Sequence, residues 1–181
     1  MKKSLENKKA SLVIACRNEI GFISDCLDSV IAQKYPSELM EVLVIDGMSD
    51  DGTADILKEY EQKYPNIKVL KNKKITQQYA FNMGIKSSDG EYIFIMGAHS
   101  KYPHDYVSRC LEYAHKYKVD NVGGRIEARS KDSDIISRAI IGAYTSSFGV
   151  GNATFRKKPK NPVYVDTVFG GCYKREVFDR I

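Results

Sequence analysis

The chain has 181 residues, 43% of them apolar and 28% charged, with a formal net charge of +5. That length suits one domain with a sizeable core, and the composition excludes a disordered acidic tail, a collagen-like repeat and a coiled-coil rod. No apolar run approaches the roughly 18 residues of a membrane span. The polar start, Met1-Lys2-Lys3-Ser4-Leu5-Glu6-Asn7-Lys8-Lys9, lacks the apolar stretch of a signal peptide, so the expected compartment is the cytoplasm.

Residues 1–9 read as a polar extension and 10–181 as one domain. Ser11-Leu12-Val13-Ile14-Ala15 is a short apolar run, as expected of a strand buried on both faces. Ile23, Cys26, Leu27, Val30 and Ile31 then recur at helical spacing up to a stop at Tyr35-Pro36. Val42-Leu43-Val44-Ile45 predicts a second strand, and Asp46 to Gly52 a turn-rich loop. Thr53 is expected to cap a helix with Ile56, Leu57 and Tyr60 on its inner face. A shorter strand, Ile67-Lys68-Val69-Leu70, precedes a helix from about Thr76 to Lys86. Tyr92-Ile93-Phe94-Ile95-Met96 is the next strand, followed by a helix carrying Val107, Cys110, Leu111 and Ala114. Val122 to Ile126 reads as a strand, Asp134 to Tyr144 as a helix and Val163-Tyr164-Val165 as a last strand. A helix then begins at Glu176, and with no capping signal before Ile181 the sequence reads as cut short. Strands alternating with helices of this length predict a mainly parallel sheet in a three-layer α/β/α sandwich. Ligands of such sheets bind beyond the carboxyl ends of the strands, which selects the loops Cys16–Glu19, Asp46–Asp51, Lys71–Thr76 and Gly97–Pro103.

Cys16, Cys26, Cys110 and Cys172 form no Cys-x-x-Cys pair and no tight cluster with His99, His104 or His115. They are expected to pack as small hydrophobes rather than to hold zinc or disulfides. The basic clusters are short, so no nucleic-acid partner is expected. No Gly-x-Gly-x-x-Gly follows the first strand, which ranks a dinucleotide oxidoreductase low. Two carboxyl-edge loops stand out. Asp46 closes the second strand, where a carboxylate can accept from a base N–H or a ribose hydroxyl; the surrounding Asp, Ser and Gly also suit a plain turn. Cys16-Arg17-Asn18-Glu19 occupies the equivalent place after the first strand, where Asn18 can cap the following helix, a role compatible with anion binding there.

The ordered set is more specific than any one loop. Ser11-Leu12-Val13-Ile14-Ala15-Cys16-Arg17-Asn18-Glu19, Cys26-Leu27-Asp28-Ser29-Val30 and Val44-Ile45-Asp46-Gly47-Met48-Ser49-Asp50-Asp51-Gly52-Thr53 resemble the opening of family 2 glycosyltransferases. Ala80-Phe81-Asn82-Met83-Gly84-Ile85 and Gly90-Glu91-Tyr92-Ile93 resemble the family's middle segment. Phe148-Gly149-Val150-Gly151-Asn152 and Val165-Asp166-Thr167-Val168 are similar to a subgroup that builds bacterial exopolysaccharides of the succinoglycan type. The resemblance runs from about Ser11 to Ile181. It implies a GT-A fold, a nucleotide-sugar donor and an inverting single displacement onto a growing polysaccharide or a saccharide linked to a lipid diphosphate. Residues of about 10–103 would bind the nucleotide, and 104–181 would form an incomplete acceptor part.

In that picture Asp46 contacts the base, Cys16, Arg17, Asn18 and Glu19 line the same pocket, and Asn82 faces the diphosphate or donor sugar. Phe81 stands where many members carry Arg, leaving Lys73 or Lys74 as the replacement charge. A divalent cation, manganese or magnesium, is usually held by Asp-x-Asp or Asp-Ala-His. Here the sequence is Gly97-Ala98-His99, so His99 keeps the last ligand position and the first carboxylate is lost. Weak ion dependence is therefore expected, with manganese ahead of magnesium. The family's acidic base is expected beyond Ile181; within the chain Asp166 is the acidic residue near the acceptor side, although it reads equally as a strand edge. Arg156, Lys157, Lys158 and Lys160 read either as a solvated loop or as a peripheral contact with the inner face of the plasma membrane. A nucleotide-sugar-binding module without catalysis is the alternative function.

Overall fold

The computed structural model describes residues 8–129, 134–146, 161–165 and 167–180. The apolar runs form the centre of one sheet. β1 (Ala10–Cys16) lies between β2 (Met40–Asp46) and β4 (Tyr92–Gly97), parallel to both, and β3 (Ile67–Lys71) extends the sheet beyond β2. With β5 (Asn121–Gly124) and β6 (Phe169–Lys174), the strand order is β3-β2-β1-β4-β6-β5. All seven residues of β2 are buried, as a strand covered on both faces requires.

Alternate residues of the strands feed two apolar layers. Leu12, Ile14, Val44 and Phe94 meet Ile23, Cys26, Leu27 and Val30 of α1 (Ile23–Ile31), Leu57 of α2 (Thr53–Lys63), and Val107, Cys110, Leu111 and Ala114 of α4 (Tyr106–Tyr117). Val13, Leu43, Ile45 and Ile93 face the other way, onto Ala80, Phe81, Met83 and Ile85 of α3 (Gln77–Ser87). Each fully buried Leu or Ile stabilises the fold by about 1.5–3 kcal/mol. α3 approaches β1 through Gly84, where a Cβ would stand 2.2 Å from Val13 Cγ1. The chain moves from β1 outward through β2 and β3, then crosses to β4 on the other side of β1. The sheet's switch point therefore lies between the carboxyl ends of β1 and β4, where doubly wound sheets hold their ligands.

Two expectations need correcting. Val163-Tyr164-Val165 forms no strand; Tyr164 is 89% exposed. The last strand is instead β6, antiparallel to β4 with Tyr92, Ile93 and Phe94 opposite Lys174, Tyr173 and Cys172. Gly170 and Gly171 conceal it, because glycine is a poor strand former on propensity. The first helix also ends earlier than expected, at Ile31, ahead of the Tyr35-Pro36 stop. After β6 comes the short α6 (Arg175–Asp179), and the Arg175 guanidinium donates to Gly90 O at 2.7 Å and Ser88 Oγ at 2.9 Å.

The chain divides into two compact units. One comprises the described residues of Met1–Val122 and Gly170–Ile181; the other lies within Gly123–Phe169 and carries α5 (Ile135–Thr145). Among the described residues no helix is long and apolar enough to cross a membrane. All four cysteines are free and buried, as expected.

Candidate functional site

The loops after β1 and β2 are tied together by backbone and short polar side chains. Gly47 N–H donates to Cys16 O at 2.8 Å. A Cβ at Gly47 would stand 3.1–3.3 Å from Ile75 O, Arg17 Cβ and Cys16 O, so the absence of a side chain lets three loops converge. Asn18 exchanges hydrogen bonds with Asp50: its Nδ2 donates to Asp50 Oδ1 at 2.8 Å, and its Oδ1 accepts from Asp50 N–H at 3.0 Å. Its own N–H donates to Ser49 Oγ at 3.0 Å. Glu19 N–H donates to Thr53 Oγ1 at 2.9 Å and Ile20 N–H to Asp51 Oδ2 at 3.1 Å.

This geometry corrects both capping expectations. Asn18 sits in the left-handed region at φ 54° and caps nothing; Glu19 O accepts from the N–H groups of Phe22 and Ile23 instead, each at 2.9 Å. Thr53 lies inside its helix, with Gly52 at the cap, and Asp51 Oδ1 accepts from Thr53 N–H at 2.9 Å and Thr53 Oγ1 at 2.6 Å. The Thr53 hydroxyl, with backbone donors behind it, holds the Asp51 carboxyl below the ordinary range.

Asp46 is at the strand end, as predicted, and is only 4% exposed. Its Oδ1 accepts from Ser49 N–H at 3.1 Å and Ser49 Oγ at 2.6 Å, while Oδ2 has one long contact, 3.3 Å, to Ser49 N–H. A carboxylate oxygen accepts two hydrogen bonds, so Oδ2 keeps capacity. Cys16 is buried beside it, and burial, then the Asp46 charge, pushes its thiol up to about 12. It can line a pocket but is no thiolate nucleophile. Arg17 is exposed.

Sequence reasoning missed Asn72. It is 1% exposed and organises the loop after β3: its N–H donates to Asp46 O at 2.8 Å, its Nδ2 to Thr76 O at 2.9 Å, and its Oδ1 accepts from Lys74 N–H at 3.1 Å. Flanking lysines disguise it as part of a solvated basic run. Asn82 is exposed in the second turn of α3. Phe81, at the position of the family's Arg, packs into the apolar layer beneath α3. Lys74 Nζ stands 4.1 Å from the centre of the Tyr79 ring.

After β4, the hydroxyl of Tyr102 accepts from Gly97 N–H at 2.9 Å and Ala98 is buried. His99 turns outward, 68% exposed, with Nδ1 3.3 Å from Oε1 of Glu19, whose side chain is 21% exposed. This pair joins the loops on the two sides of the switch point. A Cβ at Gly97 would meet only Ser100 Oγ, at 3.5 Å. Among the described residues no three His, Cys, Asp or Glu side chains cluster to hold a metal. Asp166, Arg156, Lys157, Lys158 and Lys160 lie outside the described residues.

The edge therefore brings together carboxylates and polar backbone from three loops. The sequence pattern of "Glycosyl transferase family 2" matches residues 11–181. The chain belongs to that family. It is 35% identical over 170 residues to the dolichyl N-acetyl-alpha-D-glucosaminyl phosphate 3-beta-D-2,3-diacetamido-2,3-dideoxy-beta-D-glucuronosyltransferase of Methanococcus voltae, covering 90% of this chain and 52% of that protein. It is 27% identical to the succinoglycan biosynthesis protein ExoA of Rhizobium meliloti, covering 84% of this chain and 46% of ExoA. The chain thus spans about half the length of these curated relatives. The mannosyltransferase PcManGT of Pyrobaculum calidifontis, solved with GDP-Man and Mn2+, superposes with a TM-score of 0.71 at 18% identity, over 96% of this chain and 46% of PcManGT. The fold of this family 2 chain is GT-A, with the mostly parallel sheet expected.

Proposed function

We propose that this family 2 domain binds a nucleoside-diphosphate sugar at the switch point between β1 and β4 and transfers the sugar to a hydroxyl of a polysaccharide or lipid-linked saccharide. The observation that carries this reading is the joined edge itself: Cys16 to Glu19, Asp46 to Thr53 and Gly97 to His99 converge where such folds hold a nucleotide. Asp46 Oδ2 is the proposed acceptor for a base N–H, with Arg17 lining the same pocket and Asn82 toward the diphosphate or donor sugar.

Transfer is read as a single displacement with inversion. The acceptor oxygen attacks the anomeric carbon while the bond to the diphosphate oxygen breaks, and the acceptor proton passes to a carboxylate. Asp166 is the first residue of this chain to test for that role. A divalent cation, if held, would supply positive charge that stabilises the departing nucleoside diphosphate; within Gly97-Ala98-His99, the imidazole of His99 is the side chain able to hold one. Two relatives, a glucuronosyltransferase acting on a dolichyl-phosphate saccharide and a succinoglycan biosynthesis protein, support the acceptor class. For Arg156, Lys157, Lys158 and Lys160, contact with an anionic membrane surface is the proposed role.

Calorimetry with UDP, GDP and their sugars tests the donor. One nucleoside diphosphate should bind, and its sugar conjugate should compete. If none binds, the reading fails. If a donor binds but neither transfer nor hydrolysis follows with any saccharide acceptor, the non-catalytic binding module becomes the better description.

A further inference from the structure

The positive charge of this chain is not spread evenly. Residues 123–169 carry eight basic and four acidic side chains, a net +4 of the chain's +5. That stretch is the second compact unit, and α5 is its apolar helix, with Arg138 as its single charged residue. At about 100° per residue, Ile135, Ile136, Ala139, Ile140 and Ala143 fall on one arc about 140° wide. All five are exposed, the three isoleucines at 83%, 72% and 52%. Ile141, on the opposite side of the helix, is half-buried. An apolar helix stripe ordinarily faces a core. Here it faces outward without a polar interruption, and a contiguous apolar patch of this kind marks an interaction surface.

We propose that α5 lies in the plane of an anionic membrane surface, with its isoleucine face sunk to the boundary between headgroups and acyl chains. This rests on the same membrane reading as the basic loop above but assigns a different contact, apolar rather than ionic. Length fixes the orientation: 11 residues make a helix of about 16 Å, half of the roughly 30 Å hydrocarbon core, so α5 can lie on a bilayer but not cross it. Charge selects the occupant. Arg125 and Arg129 share one carboxylate, Glu127, at 3.3 and 3.4 Å, and Arg138 is exposed on α5 itself, so the described ionic groups leave a positive surplus. A second copy of this chain would bring the same +4 to a symmetric contact, and like charges would face each other; an anionic lipid surface is complementary to it. Apolar insertion and basic attraction are the two signals that stable membrane anchoring needs together. The same unit exposes Tyr164, a residue type that collects at membrane–water interfaces.

The test uses the whole chain and vesicles of phosphatidylcholine with phosphatidylglycerol. The chain contains no Trp, so Ile136→Trp places a single reporter in the middle of the exposed face. Its emission should shift to the blue on these vesicles and be quenched by lipids brominated on the acyl chain. In a sedimentation assay, the combined change Ile135→Ser, Ile136→Ser and Ile140→Ser should weaken vesicle binding at least about 10-fold, since each CH2 withdrawn from water adds to binding. Far-UV circular dichroism and unchanged nucleotide affinity establish that the serine variant is folded, and Ile140→Ser alone offers a milder change should the triple variant misfold. Sedimentation with vesicles but without quenching of the Trp overturns the inference and leaves the basic loop as the contact. Quenching that persists when Arg156, Lys157, Lys158 and Lys160 are replaced with Ser supports α5 and dismisses the loop. A dimer in lipid-free solution that the isoleucine changes dissociate, with no quenching on vesicles, gives this face to a second copy and overturns the inference. Failure of the wild-type chain to bind anionic vesicles at low salt overturns both membrane contacts.

Discussion

At the scale of single residues, Asp46 carries two tasks that compete for one carboxylate. It ends β2 nearly buried and fixes Ser49, so the same group shapes the loop and is proposed to read the base. Asp46→Ala should therefore lower nucleotide affinity by roughly 1–3 kcal/mol and also reduce the stability of the free chain. Ser49→Ala separates the two tasks. It removes the 2.6 Å hydroxyl contact but leaves the carboxylate, so thermal stability should fall more than affinity. Equal affinity for every nucleoside diphosphate in Asp46→Ala, measured by calorimetry, would remove Asp46 from the site. The sequence could place Asp46 because a polar residue ending an apolar run is visible in one dimension. It could not reveal Asn72 or the pairing of Glu19 with His99. Asn72 is masked by Lys71 and Lys73, and the two members of the pair are 80 positions apart, brought together only because β1 and β4 are neighbours.

At the scale of elements, legibility followed apolar density. β1, β2 and β4 are dense runs of Val, Ile and Leu or aromatic residues, and their periodicity could mean little else. β6 is Phe-Gly-Gly-Cys-Tyr-Lys, and its pairing with β4 is a long-range fact that local propensity cannot carry. The docking of α3 shows the same limit. Gly84 looks like a weak point in a helix until Val13 is seen 2.2 Å from where its Cβ would be. Gly84→Ala should lower stability by roughly 1–3 kcal/mol through overpacking, despite alanine's better helix propensity. Adding Val13→Ala should recover part of that loss, because the clashing methyl is gone. Chemical denaturation of the two single variants and the double variant checks both statements; additive losses would contradict the contact.

At the scale of the whole molecule, burial governs the response to alkali. Burial pushes the thiols of Cys16, Cys26 and Cys110 from 9.0 up to about 12, and the hydroxyl of Tyr102 from 10.0 up to about 12. The folded state favours the neutral forms, so above the unfolded values the unfolded chain loses protons first. Their stabilising contribution is complete below about pH 9 and is lost as pH rises from there toward 12. Denaturation followed across pH 7–11 should show a plateau and then a decline, and a thiol reagent at pH 8 should react slowly until denaturant is added. The charge distribution gives a further expectation. Binding to anionic vesicles should fall as salt rises, since screening acts over about 10 Å at 0.1 M. Replacing Arg156, Lys157, Lys158 and Lys160 with Ser should abolish it; vesicle binding unchanged by that replacement would dismiss the proposed contact.

The antiparallel strand β6 also sets a clock for biosynthesis. Until residues 169–174 emerge, the β4 edge that they cover has no native partner, and Tyr-Ile-Phe-Ile-Met displays an apolar, proline-free edge of the kind that templates self-association. At about 5–20 residues per second, the gap from residue 97 to residue 174 leaves this edge uncovered on the order of 4–15 s. A nascent chain arrested in that interval should pellet from solution or recruit a chaperone, whereas one arrested after Lys174 has cleared the ribosome should do so less.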